Sequence, residues 1–473
     1  MFKKHNGLLA GILSVFVAFL IAFAAAPAFA EVTLPTNNTL EVSGVQGAKS
    51  VKAYRIIDAY LEKGELRYKF AEGIKPMDKN NKEVTIAEFM KMKSEAGFTN
   101  NSDLQFIMAN IATQISGLSA KTSSINDKTA KFENLDAGQY LVVAQGNETE
   151  NSVIYQNTSV NVIPTAENNA WKKMDAKATI KKSEIKIEKH FNDDNKDKKL
   201  ATSYQVGDSV PFEINTNLPQ YPENATDKVF VITDTMTDGL KLDGKVTLEV
   251  AGLDAATVAK EFTIETTDTT ITIKVVENGD FNDFNGQKVT LKYTAKVTDQ
   301  ATFKELDNNN VTLKFSNNSN VQESHSTKED NVKVKTFGLD IKKIDKDEKT
   351  KVLQGAKFNL YDNEACNGEA VASGETNAEG KLSFDGLAKK TYWLKETEAP
   401  AGYVLLANPV KVEIAEANAN EVELAATSVE VENAKTGTLP VTGGPGTIAL
   451  TVAGISLVAG AVSVLYGSKA NEE

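Results

Sequence analysis

Residues 392–403 read YWLKETEAPAGY, and the reading of this stretch decides the rest of the chain. Along a β-strand successive side chains point to opposite faces, so Tyr392, Leu394 and Glu396 share one face and Trp393, Lys395 and Thr397 the other. A carboxylate thus ends an apolar face, where charge is excluded unless it is paired. The same test on FGLDIKKID groups Leu339, Ile341 and Lys343, and on SVEVENAK it groups Val429, Val431 and Asn433. A lysine, a glutamate and an asparagine each reach the core side of a separate strand.

These residue types together permit a reaction. Burial disfavours charge, driving a lysine toward the free amine and a glutamate toward the protonated acid. A desolvated amine is a nucleophile. A protonated carboxyl can donate to the asparagine carbonyl oxygen and then pass its proton to the leaving nitrogen. The product is a Lys–Asn isopeptide bond with loss of ammonia, formed once and within one chain, so proximity supplies much of the catalysis. The other reading of the alternation is three strand ends, with head groups in water and long stems lying over apolar surface.

YWLKETEAPAGY resembles the E-box of Gram-positive pilins, Y-x-L-x-E-T-x-A-P-x-G-Y, at Tyr392, Leu394, Glu396, Thr397, Ala399, Pro400, Gly402 and Tyr403. With the K-x-D at Lys343–Asp345 and the terminal Asn433, residues 336–435 are similar to the Ig-like sandwich called CnaB. That resemblance implies Lys343 as nucleophile, Asn433 as electrophile and Glu396 as acid/base.

The preceding segment repeats the design with a shorter carboxylate. Alternation groups Ile185, Ile187 and Lys189; Phe230, Ile232 and Asp234; and Asn309, Val311, Leu313 and Phe315. VGDSVPFEI, ITDTMTDGL and the Asn-rich strand after them resemble the CnaA-like second domain of backbone pilins. The triplet expected here is Lys189, Asp234 and Asn309, with Asn317 as the rival acceptor.

An internal repeat separates a further domain. FENLDAGQYLVVA (132–144) and FDGLAKKTYWLKE (384–396) agree at Phe, Leu and Tyr, with VQGAK (45–49) and LQGAK (353–357) upstream of each. In the first copy Ala144 stands where Glu396 stands in the second, and no lysine lies between Glu31 and Ala48, so no isopeptide bond is expected there. Residues 84–116 are the exception to the β pattern, with the spacing of two helices. The expectation is a mainly β chain of three tandem Ig-like sandwiches, CnaA- or CnaB-type, at 31–180, 181–335 and 336–435, the first with a helical insertion. The lysine-rich stretch 166–182 reads as a linker.

Both ends carry addresses. Residues 1–30 have Lys3 and Lys4, an apolar run and Ala28-Phe29-Ala30, the pattern of a secretory signal peptide cut after Ala30. Residues 436–473 hold LPVTG (Leu439, Pro440, Val441, Thr442, Gly443), then apolar residues 446–466, long enough to span a bilayer, and a short tail. This is similar to the LPxTG cell-wall sorting signal, which implies sortase attack at the Thr442–Gly443 bond and transfer of the Thr442 carbonyl to an amine. The tail departs from the family in offering Lys469 before Glu472 and Glu473, a thin positive-inside signal.

The resemblance implies a structural shaft subunit of a sortase-assembled pilus, at the cell surface and anchored to peptidoglycan. Its implied partners are a class C-type pilin sortase, a housekeeping sortase, identical subunits, minor, tip and basal pilins, and a host ligand. A basal or minor pilin, or a monomeric wall-anchored adhesin, is the alternative. In many relatives the acceptor lysine ends a V-x-V-x-P-K segment. Here Val160, Val162 and Pro164 are followed by Thr165, leaving Lys177 as the candidate beside Lys172, Lys173, Lys181 and Lys182.

Composition sets the remaining limits. A formal charge of −12 argues against a nucleic-acid partner, which needs a basic face. One cysteine, Cys366, excludes an intramolecular disulfide, and with three histidines it leaves no structural zinc site. No nucleophile elbow, H-E-x-x-H or phosphate loop is present, so neither an enzyme nor a cofactor is expected.

Overall fold

The computed structural model describes residues 33–95, 102–126, 128–149, 152–167, 170–221, 225–276, 285–415 and 426–437. The expected signal peptide and the LPVTG segment with its apolar run lie outside these residues. Among the described residues no helix is long and apolar enough to cross a membrane.

Strands dominate and assemble into three pairs of facing sheets. In the first pair one sheet runs Asp175–Thr179, Asn38–Ser43, Thr129–Leu135, Ser124–Asn126. The other runs Glu65–Phe70, Ala48–Glu62, Gly138–Gly146, Thr158–Val162. Leu40, Val42, Phe132, Leu135, Tyr140 and Val142 fill the space between them.

The strand Gly138–Gly146 is apolar on both faces for a reason. Tyr140, Val142 and Ala144 face the sandwich, while Leu141 and Val143 pack under the helices Ile86–Glu95 and Ser102–Gln114 through Phe89, Leu104, Ile107 and Ile111. These are the two helices that the spacing of residues 84–116 predicts. The first starts with a reciprocal cap: Thr85 N donates to Glu88 Oε2 (2.9 Å) and Glu88 N to Thr85 Oγ1 (3.2 Å).

Residues 166–182 are not a plain linker. They form a small hairpin, Thr165–Glu167 with Ala170–Lys172, and then Asp175–Thr179, which pairs in parallel with Asn38–Ser43 and closes the first sandwich. Its core-side residues are small, Ala176 and Ala178, so the hydrophobic alternation is weak in the sequence although Ala176 and Ile180 are buried.

In the second pair, Ile187–Phe191, Ser209–Asn217, Lys288–Val297 and Leu240–Val250 form one sheet. Leu200–Ala201, His325–Val334, Asp307–Ser316, Phe230–Met236, Thr270–Val275 and Phe262–Thr266 form the other. In the third, Lys381–Leu387, Phe337–Asp345 and Thr427–Asn433 face Ala372–Glu375, Lys357–Tyr361, Thr391–Glu398 and Val410–Glu413. The first and last strands of this sandwich run parallel, Leu339 opposite Thr427 through Asp345 opposite Asn433. Alternation is clearest on Ser209–Asn217 and Phe230–Met236, with burial on every second residue, as half-buried sheets require.

Hydrogen bonds join the sandwiches in series. Asn318 Nδ2 donates to Ala144 O (2.9 Å), and Tyr155 N donates to Asn317 O (2.7 Å), tying the second to the first. Between the second and third, Val206 N donates to Gly386 O (2.8 Å), and Tyr392 Oη lies 3.0 Å from Gln205 Oε1. Gly386 adopts a φ of +68°, and a Cβ there would meet Val206 Cγ2 at 2.2 Å, so the close approach needs glycine.

Candidate functional site

Three lysines are buried among the described residues, Lys189, Lys335 and Lys343, and two of them lie at the positions that alternation singled out. Lys335 was not foreseen. It sits between the second and third sandwiches with its ammonium 4.8 Å from the Phe337 ring.

In the third sandwich Lys343, Glu396 and Asn433 converge, each essentially inaccessible to water. Register places Lys343 opposite Val431 and Asn433 opposite Asp345, so the lysine and asparagine are diagonal neighbours on adjacent strands of one sheet. Lys343 Nζ contacts Asn433 Oδ1 and lies 3.1 Å from Val431 O. Glu396 comes from the opposite sheet. Asn433 Nδ2 donates to Glu396 Oε1 (3.0 Å) and Oε2 (2.9 Å) and to Val404 O (2.9 Å), while Leu406 N donates to Glu396 Oε2 (2.9 Å). Burial pulls the Lys343 amine down to about 8, against the opposing pull of Glu396.

One expectation needs correction here. The amide turns its oxygen to the lysine and its nitrogen to the glutamate, so the carboxyl lies at the leaving group rather than at the carbonyl oxygen. The reason is local: Val404 O can only accept, and it selects the amide's donor end.

The other E-box positions brace this cluster. Tyr392 Oη donates to Ala388 O (3.1 Å) and accepts from Ala388 N (2.8 Å), a tyrosine corner. Gly402, at φ +86°, makes the turn in which Tyr403 N reaches Pro400 O (3.0 Å). Tyr403 Oη then donates to Asp345 Oδ2 (2.8 Å). Burial alone would push Asp345 up, but hydrogen bonds from Tyr403, the Glu348 and Asp347 amides and Lys435 hold it well below the usual carboxylate range. The last E-box residue therefore anchors the aspartate of the K-x-D.

In the second sandwich Lys189, Asp234 and Asn309 also meet with no exposed surface. Asp234 pairs with Val311 and Met236 with Asn309, which makes Asp234 and Asn309 diagonal neighbours in one sheet. Lys189 reaches them from the facing sheet. Its Nζ contacts Asp234 Oδ2 and lies 2.7 Å from Asn309 Oδ1. Burial lowers the amine to about 8, opposed by Asp234.

Two further groups were missed by sequence reasoning. Tyr293 Oη lies 2.8 Å from Lys189 Nζ, 2.7 Å from Asp234 Oδ1 and 2.8 Å from Asn309 Nδ2. The signal was available: in VTLKYTAKV, Tyr293 shares a face with Val289, Leu291 and Ala295. Asp330 accepts from Lys189 N (2.7 Å) and from Lys199 Nζ (2.6 Å), and Lys199 Nζ also donates to Lys189 O (2.9 Å), fixing the lysine's backbone. That pairing across sheets leaves no trace in local pattern.

The rival acceptor Asn317 is elsewhere. Its side chain accepts from Gly146 N (3.2 Å) and Ser324 Oγ (2.6 Å) and donates to Ser326 Oγ (2.8 Å), at the contact with the first sandwich. In the first sandwich itself Ala144 is buried where Glu396 stands in the third. A Cβ on Gly44, just beyond the core-facing Val42, would meet Ile180 O at 2.3 Å, which leaves no room for a lysine. Lys177 is exposed on Asp175–Thr179, opposite Glu41. Cys366 is free and buried, and burial pushes its thiol up. No group of three or more metal-ligating side chains occurs among the described residues.

Residues 206–319 match the family described as Gram-positive pilin backbone subunit 2, Cna-B-like domain. Residues 337–428 match the prealbumin-like fold domain called SpaA. The second and third sandwiches thus each match a family model, the second of them that of a Gram-positive pilin backbone domain. The matching description for the second sandwich is Cna-B-like, where the sequence pointed to the CnaA type. A fimbrial subunit type 2 of Actinomyces naeslundii is 25% identical over 397 residues, covering 73% of this chain and 72% of that one. The T6 backbone pilin of serotype M6 Streptococcus pyogenes, described as a modular three-domain structure, superposes with a TM-score of 0.64 at 19% identity, covering 81% of each chain. The Corynebacterium diphtheriae major pilin SpaA gives 0.52 at 17% identity, covering 84% of this chain and all of that one. Its structure is described as pointing to a modular pilus assembly with stabilising isopeptide bonds.

Proposed function

We propose that this chain is the structural shaft subunit of a covalently polymerised pilus on the cell surface, hardened by isopeptide bonds Lys189–Asn309 and Lys343–Asn433. The observation that carries the reading is the recurrence of one buried lysine–carboxyl–asparagine cluster in two successive pilin-type sandwiches. Such a cluster is costly as a mere structural element, since buried charges exact a desolvation penalty. It is the expected precursor of an amide that removes both charge and exposure to reductants. Asp234 and Glu396 act as acid/base groups, and the reaction turns over once, so the chain is a substrate of its own fold rather than an enzyme.

Polymerisation joins Thr442 of one subunit to a lysine of the next, with Lys177 as the acceptor. Pro164 precedes Thr165 where the acceptor motif calls for lysine, which favours a strand-borne lysine such as Lys177, exposed and close behind it. A pilin sortase makes the inter-subunit bond and a housekeeping sortase attaches the finished fibre to peptidoglycan. The broken motif also favours the second reading, a basal or minor subunit or a wall-anchored adhesin.

Intact-protein mass spectrometry tests the internal bonds: the full chain is expected to lack two ammonia molecules, and a full theoretical mass would overturn the reading. A sortase-dependent ladder of SDS-resistant multimers is expected for a shaft subunit, a single wall-bound band for the alternative. Branched peptides from the polymer would name the acceptor lysine, and any lysine other than Lys177 would remove that assignment.

A further inference from the structure

The two clusters place the carboxyl differently, and the difference exposes a missing connection. Glu396 touches the leaving nitrogen of Asn433 with both oxygens and lies 3.9 Å from Lys343 Nζ, so one side chain reaches both ends of the reaction. Asp234, one methylene shorter, contacts Lys189 Nζ and Tyr293 Oη. The Asn309 nitrogen is met instead by the Tyr293 hydroxyl, at 2.8 Å, which in turn is 2.7 Å from Asp234 Oδ1. The hydroxyl stands among all three members, and its ring is held by a stack on Phe212 at 5.3 Å between centroids.

We propose that Tyr293 is a fourth catalytic residue of the second sandwich, its hydroxyl relaying a proton from the Lys189 amine to the departing nitrogen of Asn309. The inference rests on the isopeptide reading above. With the amine neutral, the Nζ lone pair attacks Cγ of Asn309 and the carbonyl pair moves onto Oδ1. The attacking nitrogen passes a proton to Tyr293 Oη as the phenol passes its own to Asp234 Oδ1. Nδ2 then takes the proton on Tyr293 Oη as Asp234 returns the stored proton to that oxygen. On collapse the Oδ1 pair re-forms the carbonyl, the Cγ–Nδ2 bond breaks and ammonia leaves. One proton has moved from Nζ to Nδ2, and both Asp234 and Tyr293 end as they began. Burial and the neighbouring Asp234 hold the phenol well above its ordinary value, so it remains protonated and able to donate at neutral pH.

The test uses the full chain carrying Lys343→Ala, in which the middle bond alone contributes to the ammonia deficit. Newly synthesised protein is followed by intact mass over time, with and without Tyr293→Phe. The phenylalanine keeps the ring and its stack, and bond formation is expected to slow by on the order of 10²-fold, the range of a lost general acid. A parent chain that never loses ammonia would overturn the isopeptide reading itself. A parent that reacts, beside a Tyr293→Phe chain that reacts equally fast, would overturn the relay alone. Lys189→Ala, which cannot form the bond, is the folding reference in limited proteolysis. A slow Tyr293→Phe chain digested no faster than this reference supports the relay, and one digested faster assigns the hydroxyl to packing and overturns it.

Discussion

The second and third sandwiches bring together the same three residue types by opposite routes. In the third, lysine and asparagine stand on neighbouring parallel strands of one sheet and the carboxylate descends from the facing sheet. In the second, asparagine and carboxylate share a sheet and the lysine crosses the core to reach them. One bond would sew two strands edge to edge; the other would rivet two sheets face to face. The chemistry therefore depends on where three head groups meet and not on which strands supply them. The first sandwich shows the frame without the chemistry. It repeats the parallel pairing of first and last strands, and Tyr140 Oη donates to Asp136 O (3.0 Å) as Tyr392 does to Ala388. Its core holds Ala144 where the repeat puts Glu396 in the third, and a side chain on Gly44, just past the first strand, would meet Ile180 O.

This comparison can be broken most severely in the second sandwich. Asn309→Ala removes the proposed cross-link between residues 120 apart in sequence, which in the chain-entropy account is expected to lower stability by about 5 kcal/mol. Denaturant unfolding of the variant against wild type measures it. Glu396→Ala should leave the third sandwich folded but unlinked, with a loss of about 4–5 kcal/mol for residues 90 apart. Its mass should rise by one ammonia beyond the substitution, and an unchanged deficit would mean that Glu396 takes no part.

A pH dependence sharpens the contrast between linked and unlinked forms. In Asn309→Ala the Lys189 amine stays free, titrating near 8 when folded and at 10.5 when unfolded. Between those values the unfolded chain binds the extra proton, so stability of the variant rises with pH across that window. With the proposed cross-link in place the nitrogen is an amide and the slope from this group vanishes. Melting temperatures over that range test the sign. The smallest effect is expected for Tyr403→Phe, which removes the hydrogen bond to Asp345 and costs about 1–2 kcal/mol while leaving the ammonia deficit intact.

Much of this was legible because strand alternation is a short-range rule. It placed Lys189, Asp234, Asn309, Lys343, Glu396 and Asn433 on core faces from their immediate neighbours, and all six are buried. It failed where side chains are small or the partner is distant. Ala176 and Ala178 carry too little apolar surface to mark a strand, so in the sequence a closing strand reads as a linker. Asn309 and Asn317 share one alternation phase, and only the fold sends one to the lysine and the other to the Ser324–Ser326 turn at the contact with the first sandwich. Alternation does put Tyr293 on a core face, but which groups it bridges, like the Asp330–Lys199 clamp, depends on which sheets face each other.

The parallel pairing of Phe337–Asp345 with Thr427–Asn433 has a mechanical consequence. Pull on the chain at residue 336 and at residue 434, and the two strands are loaded in shear. Once Lys343 is joined to Asn433, force passes along seven residues of backbone, through one side-chain amide, and out again. Residues 344–432, including the whole E-box, then lie on a slack detour that carries no load, free to build the site that made the bond and relieved thereafter of holding the fibre together.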